Sequence, residues 1–115
     1  MPQYMLLIYS DPADAPDPAE QRVQHGRWMT YTEELAKAGA MRAGDALEGP
    51  DTATTVRVRD GETVVSDGPF AETKEILGGY YLIDVPDLDA ALGWAAKMPN
   101  ITYGSVEVRP VMVFE

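Results

Sequence analysis

The chain has 115 residues, no cysteine and a formal charge of −10 at pH 7. That length suits one domain with a single core, being too short for two at ~100–200 residues each. The missing cysteine excludes disulfides, thiolate catalysis and cysteine metal sites, and the acidity opposes direct nucleic-acid binding, which needs basic faces.

With 45% apolar residues and no internal repeat or low-complexity block, the sequence predicts a folded globular protein. No apolar run approaches the ~18–20 residues of a membrane span, and the N-terminus lacks the basic flank and cleavage site of a signal peptide. A cytoplasmic location without a membrane partner is therefore expected.

Tyr4 to Tyr9 is a near-continuous apolar run, bounded by Pro2 and by the Pro- and Asp-rich stretch Ser10–Pro18, and predicts a first strand. Asp17-Pro18-Ala19-Glu20 supplies an N-cap, a proline at the first helical position and a carboxylate three residues after the cap. Trp28, Tyr31, Leu35 and Ala38 follow at helical spacing and Gly39 supplies a stop, predicting a helix over about 18–38. Met41–Leu47 reads as a short strand. Asp60-Gly61 tolerates positive φ, so Thr54–Arg59 and Glu62–Ser66 should form a two-residue hairpin pairing Arg59 with Glu62 and Val58 with Thr63.

Gly79–Val85 predicts a further strand, with Tyr80 and Tyr81 facing opposite sides of the sheet. Asp87 should cap a second helix with Leu88, Ala91, Leu92 and Ala95 on one face; Trp94, off that stripe, either shields the core rim or meets a neighbouring subunit. In the last strand the valines change phase around Pro110, which suggests a bulge or edge bend. The order β-α-β, hairpin, β-α-β describes an α+β fold of ferredoxin-like split βαβ type, an antiparallel sheet with two helices on one face. The other sheet face needs a cover, and self-association is the simplest one.

The chemistry-bearing residues cluster after the hairpin. In Asp67-Gly68-Pro69-Phe70, glycine and proline make a rigid turn that either shapes the backbone, with Phe70 plugging the core, or presents Asp67 to a cleft. Glu72, Thr73, Lys74 and Glu75 provide two carboxylates, a hydroxyl and an amine, suited to acid/base work if they converge and otherwise to a solvated loop or a dimer contact. Lys74 is the only cation among them. Arg109 suits either an anionic ligand or a structural pair with Asp67 or Glu72. His25, the only histidine, falls on the flank of the first helix, and one imidazole without cysteine argues against a transition-metal site. No nucleophile elbow, phosphate loop or dinucleotide fingerprint is present. The three aspartates of Ser10–Pro18 lack the glycine and distal glutamate of a calcium loop.

The run DGPFAETKE over 67–75 with LGGYYLID over 77–84 resembles the signature of the DGPF family, a branch of the YCII-related proteins in the dimeric α/β-barrel superfamily. YMLLIYSD, EELAKAGAM, VRVRDGETVV, DLDAALGWAAKMP and YGSVEVRPVM extend the likeness along the chain. The resemblance implies a homodimeric α/β barrel and, by fold-level analogy, cofactor-free acid/base chemistry on a small organic molecule, isomerase- or lyase-like. Asp67 and Lys74 are the expected catalytic groups and Phe70, Glu72, Tyr81 and Arg109 the expected ligand contacts, with no metal and no cofactor. Proteins of the wider YCII group carry a histidine on the first helix that is proposed to act with an aspartate; counted back from Gly39, that position holds Trp28 here, so the chain departs from that pattern. DGPF proteins also resemble domains associated with extracytoplasmic-function sigma factors, which makes a regulatory or protein-interaction module with a sigma-factor partner the alternative reading.

Overall fold

A computed structural model describes residues 1–14, 16–71 and 73–114. Six strands and two helices follow in the order β1 (Gln3–Ser10), α1 (Pro18–Lys37), β2 (Met41–Ala46), β3 (Thr54–Arg59), β4 (Glu62–Asp67), β5 (Ile76–Asp84), α2 (Leu88–Ala96) and β6 (Ser105–Pro110). Single 3₁₀ turns at Pro12–Asp14 and Pro50–Thr52 shape two of the connections.

The helix boundaries are set by local chemistry. Asp17 accepts a hydrogen bond from the Glu20 amide at 2.8 Å and Asp87 one from the Ala90 amide at 2.9 Å, each satisfying an amide that the first helical turn leaves without a backbone partner. Gly39, at φ +70°, ends α1 in the left-handed conformation that glycine enters at little cost.

The four-stranded sheet has the order β2-β5-β1-β6, and every neighbouring pair is antiparallel. Side chains alternate across it. Tyr4, Leu6, Tyr81 and Ile83 are buried with Tyr31 and Leu35 of α1 and with Ala91 and Ala95 of α2, so both helices cover the same face. Tyr31 ties the helices together, its hydroxyl donating to the Trp94 carbonyl at 2.8 Å. The Trp94 ring lies edge-on to Tyr31 and carries the Lys97 ammonium 4.9 Å from its centroid, so this tryptophan shields the core rim.

On the opposite face the cross-strand rows Ala43–Leu82–Met5–Arg109 and Asp45–Tyr80–Leu7–Glu107 have no helix over them. The β3–β4 hairpin forms a separate two-stranded sheet. Asp60 at φ 51° and Gly61 at φ 78° make its two-residue turn, and Arg59 pairs with Glu62 and Val58 with Thr63 as the sequence predicts.

Several details differ from the sequence reading, among them the start of β5 at Ile76 rather than Gly79, which places Gly78 and Gly79 inside the strand. The register of β6 on β1 runs unbroken to Pro110, and the irregularities lie instead between Ile8 and Tyr9 and between Met41 and Ala43. Proline is accommodated at the end of β6 because this is an edge strand, where one side of the backbone needs no partner. Leu88 and Leu92 are about half exposed, and the buried residues of α2 are Ala91 and Ala95, small residues that let the helix lie close to the sheet. Phe70 does not plug the core: it is 75% exposed, with the Arg57 guanidinium 5.3 Å from its ring centroid.

Candidate functional site

Two depressions border the chemistry-bearing residues. The larger, about 660 Å³, is an open surface hollow where Lys74 meets Asp11, with Asp14, Glu75 and Glu107 around it. The Lys74 ammonium is 3.9 Å from the Asp11 carboxylate, but its side chain is 87% exposed, so solvent screens the pair. Glu75 is held by the Ser105 hydroxyl, which donates to both carboxylate oxygens at 3.1 and 3.3 Å.

The second depression, about 420 Å³, is a cleft between α1 and the helix-covered face of the sheet. Its aromatic walls with a few polar groups have the character of small-molecule sites. Glycines let neighbouring groups pack tightly in the floor: a Cβ at Gly44 would lie 2.7 Å from the Tyr81 ring, and one at Gly79 would lie 2.8 Å from the Asp45 carbonyl. Above the floor, the Trp28 and Tyr81 rings lie within 18° of parallel at a centroid distance of 6.3 Å. Ser10, His25 and Tyr103 complete the rim, and the buried Asn100 also lines the cleft.

The polar groups of the cleft are held in fixed directions. Thr32 sits one turn after Trp28 and donates its hydroxyl to the Trp28 carbonyl at 2.9 Å; the same oxygen is 2.7 Å from the Tyr81 hydroxyl. The Asn100 amide nitrogen donates to the carbonyls of Tyr9 and Ser105, both at 3.3 Å. Burial raises the pKa of the Tyr103 phenol above its ordinary value, so this group stays protonated and can donate.

Asp45 and Tyr80 border the cleft through their backbone. They pair across β2 and β5 one residue out of phase with Gly44 and Tyr81, which puts their side chains on the uncovered sheet face. There the Tyr80 hydroxyl donates to the Asp45 carboxylate at 2.8 Å; this bond, followed by the carboxylate's charge, raises the Tyr80 pKa. His25 therefore has no carboxylate facing it from the adjoining strand.

The structure disperses the residues that the sequence singled out. Tyr81 lies in the cleft, fully packed against α1. Lys74 lies in the open hollow. Asp67 ends β4 opposite Thr54, exposed, with Gly68 behind it fixed by its amide to the Ala53 carbonyl and by its own carbonyl to Thr55. Arg109 is exposed on the uncovered face and pairs with Glu107 at 2.9 Å rather than with Asp67. Glu72 lies outside the described residues. His25 is exposed, as its flank position predicts, yet it reaches the solvent side of the cleft. Thr32, Asn100 and Tyr103 were not singled out. Thr32 did carry a faint signal, a threonine one turn after a large residue, where it can bond the i−4 carbonyl.

No helix among the described residues is long and apolar enough to cross a membrane, and no group of three or more His, Asp or Glu side chains among them is placed to hold a metal ion. The fold and the cleft define a small α+β protein with two helices on an antiparallel sheet and an aromatic-walled hollow between them. The chain matches the YCII-related domain over residues 2–115 and belongs to that family. It is similar to an uncharacterised protein of Rhizobium meliloti (strain 1021), 46% identical over 118 aligned positions that span 97% of this chain and 94% of that protein.

Proposed function

We propose that this protein binds a small organic ligand in the cleft between α1 and the sheet and acts on it by cofactor-free proton transfer of isomerase or lyase type. The observation that carries this reading is the cleft itself: aromatic walls and a glycine floor surround a few polar groups of fixed direction, with His25 at its solvent side. His25 is the imidazole within reach of a bound molecule and serves as the acid/base group of this reading. A fragment screen followed by protein-observed NMR tests the reading. Shifts at Trp28, Gly44 and Tyr81 support it, together with a His25→Ala variant that keeps binding and loses turnover. Hits that perturb only the hairpin or the Lys74 hollow overturn it.

We further read the strand order, with the hairpin inserted between β2 and β5, as a ferredoxin-like split unit that assembles into a homodimeric α/β barrel of the DGPF branch. Support comes from what a single chain leaves uncovered. The Cα radius of gyration is 16.2 Å, against the roughly 13 Å of a compact domain this long. Val56, Val58 and Val65 share one face of the hairpin at 59–61% exposure, and Met112, Val113 and Phe114 extend beyond β6 at 73–85%. A two-stranded hairpin is marginal by itself in water, so a second copy seated on these surfaces stabilises it. In this reading Asp67, Phe70 and Arg109 contribute to proton transfer or ligand binding only through such an assembly, since none of them lines either depression of the single chain. Sedimentation equilibrium decides the matter: a dimer supports it, and a monomer that captures a sigma factor stoichiometrically favours the regulatory alternative.

A further inference from the structure

The hydrogen-bond directions inside the cleft restrict what it accepts. A carbonyl cannot donate, so the bond between Thr32 and the Trp28 carbonyl uses the single proton of the Thr32 hydroxyl. The 2.7 Å contact between Thr32 Oγ1 and Tyr81 Oη must then run from Tyr81 to Thr32. With its one proton committed there, Tyr81 Oη meets a ligand only as an acceptor. Asn100 repeats the pattern: its amide group donates to the Tyr9 and Ser105 carbonyls, while its Oδ1 has no partner in a side chain that is 2% exposed. The inner groups accept, and two of them have their donors engaged elsewhere.

Charge restricts the choice further. Among the described residues the cleft lining contains no lysine or arginine, and the Asp45 side chain lies on the other sheet face. A carboxylate or phosphate placed against Tyr81 would face its acceptor oxygen with no lysine or arginine beside it, and an organic cation would lack a carboxylate; a desolvated charge is costly in both cases. The near-parallel Trp28 and Tyr81 rings favour a planar molecule.

We infer that the cleft selects a planar, uncharged aromatic molecule that directs an N–H or O–H donor at Tyr81 Oη, with Thr32 as the positioning residue that keeps Tyr81 an acceptor. This inference rests on the cleft being the ligand site.

The test uses two bicyclic probes of nearly the same shape, indole, which carries an N–H, and benzofuran, which does not, with benzoate as the anion. Affinities are read from NMR shifts of the Trp28 side-chain N–H and the Gly44 amide in the labelled full chain. Indole is expected to bind roughly 3- to 10-fold tighter than benzofuran, the usual worth of one hydrogen bond, and benzoate weaker than either. Tyr81→Phe should abolish the difference. Thr32→Val, which frees the Tyr81 proton, should shrink or reverse it, whereas a merely structural role for Thr32 would leave it intact. Equal affinities for indole and benzofuran in the wild-type protein, or a preference that survives Tyr81→Phe, overturn the inference and leave the cleft a ligand site. If no probe moves the Trp28 or Gly44 signals at millimolar concentration, both the inference and the site are overturned.

Discussion

Gly78 and Gly79 are adjacent in β5, neither has a left-handed backbone, and yet alanine should have opposite effects at the two positions. A Cβ on Gly79 would lie 2.8 Å from the Asp45 carbonyl and 3.3 Å from Ala46 Cα, both main-chain atoms of β2. No side-chain rotation relieves that contact, so β2 must shift by some tenths of an ångström. The shift works against the Leu47 amide bond to the Gly78 carbonyl at 2.9 Å and the Tyr80–Asp45 bond at 2.8 Å. Overpacking of this kind costs about 1–3 kcal/mol. Replacing glycine also lowers the entropy of the unfolded chain, which offsets about 0.4–1 kcal/mol of that cost. Gly79→Ala should therefore destabilise by about 1–2 kcal/mol, a fall in Tm of roughly 3–12 °C for a domain of this size. At Gly78 the nearest atom to an added Cβ is the Ile8 carbonyl at 4.0 Å, ordinary contact distance, so only the entropic gain remains and Gly78→Ala should be neutral or slightly stabilising. Differential scanning calorimetry of the two variants measures the contrast. Because the Gly79 methyl would also rise into the cleft floor, indole binding should weaken in Gly79→Ala and persist in Gly78→Ala. Wild-type stability for Gly79→Ala, or a larger loss at Gly78, would refute the close-approach argument.

Core truncation supplies a second check: Ile83→Ala and Leu35→Ala empty positions that are 0% exposed and should each cost about 2–5 kcal/mol in urea unfolding, with an unchanged slope against denaturant. Asp17→Ala removes the cap of α1 and should cost about 1 kcal/mol, whereas Asp17→Asn should restore most of it; circular dichroism during thermal unfolding reads both. Val56→Asp combined with Val65→Lys puts charge on the exposed hairpin face and should leave the fold intact while weakening self-association by at least tenfold in analytical ultracentrifugation. Alkaline stability follows from Tyr31, whose pKa is raised well above its ordinary value of 10.0, first by burial and then by Tyr81 and Glu34. The unfolded chain loses this proton near pH 10 while the folded one retains it, so its contribution is complete below pH 10 and declines as the pH rises beyond it. Tyr31→Phe should be less stable than wild type at pH 8, having lost the bond to Trp94, and should show a shallower decline from pH 10 to 11.

The parts of this fold that the sequence revealed are those whose causes lie within a few residues of one another. Asp17 and Asp87 cap their helices because an Ncap carboxylate reaches an amide three residues on, and Asp60-Gly61 turns the hairpin because both residues reach positive φ. Register followed from that turn. The cleft, by contrast, is made by contacts that no spacing announces: Thr32 meets Tyr81 across 49 residues, and Asn100 meets the Tyr9 carbonyl across 91. The residues that looked most chemical, Asp67 to Glu75, lie close in sequence, but neighbours in sequence rarely point their side chains at one place. Asp67 consequently ends a hairpin strand while Lys74 pairs with Asp11 some distance along the chain. The same alternation turns Asp45 away from the cleft whose edge its backbone forms, and it leaves His25 without a carboxylate from that strand. A proton-transfer site of the proposed kind would therefore rely on the ligand, seated against Trp28 and Tyr81, to complete what the single chain supplies with one imidazole. That dependence makes the preference of Tyr81 for a donor the sharper handle on function: it follows from two contacts and one carbonyl that cannot donate, and it should shrink or reverse when Thr32 loses its hydroxyl.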